Sequence, residues 1–148
     1  RGKKREFLSA IGKSLNLLLP TEANTSSRSE KLTALWLSPD EWMIHSNEIL
    51  SSKSNDYETE NLLDKSVSKT NLGAVTDVTD QFVLINLKGD KIFDLFETGS
   101  PFNFNDFKNK KGSVTQTILA KIDVIIHNLN QTHKLKLAHV VESKTHFL

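Results

Sequence analysis

The chain has 148 residues, 37% hydrophobic and 25% charged, with a formal net charge of +1 and no cysteine. The length suits one globular domain with a single sizeable core, and the balanced charge supplies no global field to recruit nucleic acid or an anionic membrane. The lack of cysteine removes disulfide frameworks, thiolate zinc sites, iron–sulfur ligation and cysteine nucleophiles together.

Residues 1–5, Arg1-Gly2-Lys3-Lys4-Arg5, form a basic tail without interleaved aromatic residues, expected to be solvated rather than to grip phosphates. Residues 6–148 are expected to form a single domain. Within it, Phe7, Leu8, Ile11, Leu15, Leu18 and Leu19 recur at helical spacing before Pro20, predicting an amphipathic helix over 6–19. Residues 20–31 are polar and aperiodic and read as an exposed connector. Residues 33–37 and 42–45 are β-prone runs flanking Ser38-Pro39-Asp40-Glu41, which predicts a hairpin. After the polar stretch 47–61, Leu62, Leu63 and Val67 mark one face of a helix ending near Gly73.

Residues 74–87 hold two β-branched runs separated by Thr79-Asp80-Gln81, predicting a second hairpin stopped by Gly89. Asp90 is placed to cap a short helix that buries Ile92, Phe93, Leu95 and Phe96 and is closed by Gly99 and Pro101. Residues 101–112 carry Phe102, Phe104 and Phe107 among asparagines and lysines, the pattern of a loop pinned to a core or to a partner. Residues 113–129 and 133–141 are β-prone and meet across Asn130-Gln131-Thr132, and an amphipathic helix is expected from near Ser143. The order, roughly αββαββαβββα, makes the fold class α+β with largely antiparallel pairing.

Motifs for chemistry are sparse. His127, His133 and His139 recur every six residues near Asp123, but no paired helical spacing fixes a tetrahedral ligand set, so no metal is expected. Asp80 and Asp90 stand where turns and caps favour aspartate, and with Asp77 they read as structural rather than as an acid–base set. No G-x-S-x-G elbow, dinucleotide fingerprint or phosphate-binding loop occurs. Catalytic, cofactor-binding and metal-binding residues are therefore all expected to be absent. No apolar run approaches the roughly 18 to 20 residues of a membrane span, and no signal-type segment is seen, so a cytoplasmic protein without membrane or nucleic-acid partners is expected.

Five stretches in order carry a resemblance: residues 34–42 (ALWLSPDEW), 75–81 (VTDVTDQ), 87–90 (LKGD), 99–102 (GSPF) and 112–121 (GSVTQTILAK). Together with the opening helix and the closing segment, they resemble the gamma subunit of heterotetrameric sarcosine oxidase over about residues 6–147. The resemblance implies ferredoxin-like α+β units, as in the folate-binding domain of the glycine-cleavage aminomethyltransferase. It implies alpha, beta and delta subunits as partners. FAD, FMN, NAD and tetrahydrofolate would reside in those partners, in a complex that converts sarcosine to glycine, hydrogen peroxide and a one-carbon unit. This chain would be a non-catalytic accessory subunit, with Trp36, Trp42, Phe102, Phe104 and Phe107 as candidate interface anchors or, alternatively, as core residues.

A free-standing folate-binding protein of the same superfamily is the alternative function. Its iron–sulfur maturation branch has a cysteine after the Lys-Gly pair, where this chain has Ser113 after Lys111-Gly112. A third reading, a module using its basic tail and the lysines of 108–111 on an anionic partner, predicts salt-sensitive nucleic-acid binding, which is not expected.

Overall fold

The computed structural model describes residues 5–47, 57–71, 73–130 and 134–140; for 57–59, 70, 130 and 134–140 it describes the backbone alone. The chain divides into two compact units, residues 1–77 and residues 78–148. Both combine helices with antiparallel sheet, as the α+β expectation requires.

The first unit opens with α1 (Arg5–Leu15), whose buried Phe7, Ile11 and Leu15 repeat every four residues. This helix ends a turn before Pro20. Asn16 adopts the left-handed conformation (φ 49°), and the Leu17 N–H closes on the Gly12 carbonyl at 3.1 Å. That six-to-one bond is the Schellman terminus, and Leu17 then packs in the same cluster as Ile11, the accompanying apolar contact. Leu17 and Leu19 are thus buried from extended chain, while Leu18 between them is exposed.

The connector 20–31 contains a short strand, β1 (Ser26–Arg28), paired antiparallel with β2 (Leu32–Ser38). Only three residues long and entirely polar, it lacks the alternation that marks a strand in sequence. β2 pairs in turn with β3 (Glu41–Ser46), so the expected hairpin forms around Pro39 and Asp40, and the Ser38 hydroxyl donates to Asp40 Oδ1 at 3.0 Å. α2 (Tyr57–Thr70) starts within the polar stretch 47–61 and ends at Asn71, which is again left-handed (φ 52°). Val67 and Leu63 of α2 join α1, Ala34, Leu32, Trp42 and Ile44 in one apolar cluster. The Ser66 hydroxyl donates to Ser14 Oγ at 2.6 Å between the two helices.

The predicted second hairpin does not form. Residues 74–78 are irregular, Val75 packs into the first unit's cluster, and 79–81 make a 3₁₀ turn before β4 (Phe82–Lys88). The first β-prone run packs in the first unit, and the second, β4, pairs with β7 in the second.

In the second unit, β4, β5 (Val114–Leu119), β6 (Ile122–Asn130) and β7 (Lys134–Val140) form an antiparallel sheet in the order β4-β7-β6-β5. β4 and β5 occupy opposite edges and are joined by α3 (Ile92–Gly99) and the phenylalanine loop, which pack on one sheet face. Ile92, Phe93 and Phe96 are buried as expected, but Leu95 is 66% exposed. Positions 92, 93 and 96 already complete the stripe that one face of a short helix can bury. Asp90 is not the cap: Lys91 holds the N-cap position, without a side-chain capping bond. At the other end Gly99 allows the β5–β6 turn to come close. A Cβ there would lie 3.2 Å from Leu119 Cδ1, and the Ala120 N–H donates to the Gly99 carbonyl at 2.8 Å.

The run 113–129 is divided by a two-residue turn at Ala120 and Lys121, with Leu119 paired to Ile122. Both turn residues have positive φ, 51° and 69°, the geometry for which Asn-Gly is the favoured pair. Lys121→Gly is therefore expected to raise stability by about 1 kcal/mol by relieving the left-handed penalty, read from the urea midpoint. In the same assay Phe96→Ala should cost about 3–5 kcal/mol, and Leu95→Ala no more than about 0.5 kcal/mol.

Candidate subunit interface

The phenylalanine loop is built inward. Phe104 and Phe107 are buried and Phe102 is partly so; they meet Phe93 and Phe96 of α3 and, from the sheet, Val124, Ile126, Leu87 and Leu119. Ring centroids lie 4.8 Å apart for Phe102 and Phe104, 5.7 Å for Phe96 and Phe104, and 5.8 Å for Phe102 and Phe107. The Phe102–Phe107 pair is edge-on, with an interplanar angle of 88°, and Phe104–Phe107 at 78° is similar. Such packing places the positive ring edge on the negative face and adds to the apolar burial.

A loop that drives three phenylalanines into a core carries its backbone carbonyls toward the core as well, and these need donors. Asn128 of β6 supplies them. It is fully buried, and its Nδ2 donates to the carbonyls of Phe107 at 2.8 Å, Lys110 at 3.2 Å and Lys108 at 3.4 Å. Its backbone adds the Gly112 N–H to Asn128 carbonyl bond at 2.7 Å and the Asn128 N–H to Ser113 carbonyl bond at 2.9 Å. The Ser113 hydroxyl completes the clamp by donating to Lys110 O at 2.6 Å. Ser113, which sits where the iron–sulfur maturation branch has its cysteine, is thus a buried structural donor.

Trp42 is half-buried on β3, against the first unit's cluster and 6.3 Å from the Phe7 ring, and its Nε1 donates to the Pro20 carbonyl at 2.7 Å. Trp36 lies opposite it in register on β2 and is also half-buried. Of the five candidate anchors, Phe104 and Phe107 are therefore committed to their own core, Trp42 is tied to Pro20, and Trp36 and Phe102 retain partial exposure.

The other sequence candidates do not converge. His127 is buried on β6, Asp123 is exposed at the start of that strand, and Asp77, Asp80 and Asp90 are exposed in irregular chain, in the 3₁₀ turn and in the turn before α3 respectively. His133, the side chain of His139, residues 1–4 of the basic tail and the helix expected from Ser143 lie outside the described residues. Among the described residues no group of three His, Asp or Glu side chains is disposed to hold a metal ion, and no helix is long and apolar enough to cross a membrane.

The model of the sarcosine oxidase gamma subunit family matches residues 2–144. The chain belongs to that family. In fold, it resembles a chain of the heterotetrameric sarcosine oxidase from Corynebacterium sp. U-96, solved in complex with pyrrole 2-carboxylate, with a TM-score of 0.77 at 16% identity over 93% of this chain and 67% of that one. No curated protein sequence matches it. In this member of the sarcosine oxidase gamma family, the loop buries Phe104 and Phe107 and leaves Lys110 and Lys111 exposed.

Sequence reasoning passed over Asn128, although an amide in the run Ile125-Ile126-His127-Asn128-Leu129 is the kind of residue strands disfavour, and that was the available signal. Asn128→Ala is expected to cost about 1–3 kcal/mol by removing the side-chain donor to the Lys108 carbonyl and one of the donors shared at Phe107 and Lys110. It should also speed tryptic cleavage at Lys108, Lys110 and Lys111, read by limited proteolysis under native conditions.

Proposed function

We propose that this chain is a non-catalytic accessory subunit of a heterotetrameric sarcosine oxidase, working with alpha, beta and delta partners in the cytoplasm. The complex would carry out oxidative demethylation of sarcosine to glycine, hydrogen peroxide and a free or folate-linked one-carbon unit. Family membership over nearly the whole chain is the observation that carries this reading. The likeness in fold to a chain of a heterotetrameric sarcosine oxidase supports it further.

Amine oxidation needs a redox centre, and the sequence contains neither cysteine nor a dinucleotide fingerprint. FAD, FMN, NAD and tetrahydrofolate are accordingly assigned to the partner subunits. The contribution of this chain is buried surface. Residues 6–148 act as one assembly domain behind the basic tail, with the half-buried Trp36 and Phe102 as apolar anchors.

Co-expression with alpha, beta and delta subunits, followed by purification through a tag on this chain alone, tests the reading. The expected product is yellow, absorbs as bound flavin and forms peroxide only when sarcosine is added, whereas the chain alone does neither. A colourless chain that purifies without partners and binds tetrahydrofolate would instead establish the free-standing folate-binding alternative.

A further inference from the structure

Eight large apolar side chains stand exposed among the described residues, and three of them are consecutive: Val83 at 47%, Leu84 at 40% and Ile85 at 39%, all on β4. β4 is an edge strand. Its seven residues pair with β7 without a register shift, and no described strand lies along its other side.

Successive strand residues point to opposite faces, so Val83 and Ile85 project to one side of the sheet and Leu84 to the other. A helix or flat surface laid on the sheet would cover only one of these sets. A strand added along the edge shields both and also takes up the backbone groups that β7 leaves unpaired.

Soluble proteins protect such edges with charges, prolines or bulges. From Phe82 to Leu87 β4 has none of these, its single charge being the terminal Lys88. The opposite edge differs, since β5 carries Thr115, Gln116 and Thr117 along its middle.

We infer that an extended, mainly apolar segment of a partner subunit adds to β4 as a fifth strand of this sheet, by the main-chain pairing of β-augmentation. The inference rests on the accessory-subunit reading. That reading also selects the occupant, because a complex with one copy of each of four different subunits holds no second β4 to pair with.

The test uses the co-expressed complex. Leu84→Lys, at an exposed position, should leave the far-ultraviolet circular dichroism of the tagged chain unchanged and reduce the co-purified partners at least tenfold. Leu95→Lys, at a more exposed position on α3, should leave assembly intact. In the wild-type complex, hydrogen exchange at the outward-facing β4 amides should be at least tenfold slower than in the chain alone.

Wild-type assembly by Leu84→Lys, or β4 amides exchanging equally in both states, would overturn the inference while leaving the accessory role standing. So would β4 protection already present in the lone chain, whether concentration-dependent, as pairing with a second copy requires, or concentration-independent, as cover by its own segments requires. A wild-type chain that captures no partner would contradict the accessory role itself, and this inference with it.

Discussion

The second unit depends on one buried amide. Five phenylalanines from an eight-residue helix and a loop of about a dozen residues fill the space over the sheet, and rings of that size are buried only if the loop bends its backbone into the same dry region. The carbonyls of that bend then need donors: the Lys110 N–H serves the Phe107 carbonyl at 3.2 Å, and the Ser113 N–H and hydroxyl serve the Lys110 carbonyl at 3.2 and 2.6 Å. Asn128 adds its Nδ2 to that set from beneath, facing three carbonyls, which assigns the orientation of its amide and leaves its Oδ1 buried without a partner among the described residues.

The first unit solves a related problem differently. Its helices and sheet meet through one apolar cluster that includes Phe7 and Trp42, and several of its side-chain hydrogen bonds lie at chain reversals. Asn16 ends α1 in the left-handed conformation, Ser27 donates its hydroxyl to the Leu18 carbonyl, and Trp42 reaches the Pro20 carbonyl. Together these hold the segment 17–20 so that Leu17 and Leu19 continue the buried face after the helix has stopped. In both units, these polar side chains serve the backbone.

The parts of the fold that were legible in sequence are those where local chemistry and tertiary demand agree. Ser38-Pro39-Asp40-Glu41 announced its turn, and Ile92, Phe93 and Phe96 announced a buried helix face. The illegible parts are those where tertiary demand prevailed. The run 74–87 looked like one hairpin because both halves are β-branched, and nothing local says that Val75 packs in one unit while β4 pairs in another. Ala120 and Lys121 form a left-handed turn without the glycine or asparagine that would reveal it. Asp90 looked like a cap, yet the helix begins one residue later than that role requires. Of the candidate anchors, composition alone could not separate Phe104 and Phe107, which turn inward, from Trp36 and Phe102, which keep an outer face. The family was legible because five short motifs kept their order, although none is distinctive alone.

On the proposed reading, a chain with a clamped aromatic core and an unprotected apolar edge is completed by its partner subunits. Native mass spectrometry of the complex captured on this chain tests that claim most directly. The account predicts a single assembly with one copy of this chain and three different partner chains, losing its flavins only when the flavin-bearing partners dissociate. A chain recovered free, in a homo-oligomer, or with flavin retained after every partner has been removed would contradict it.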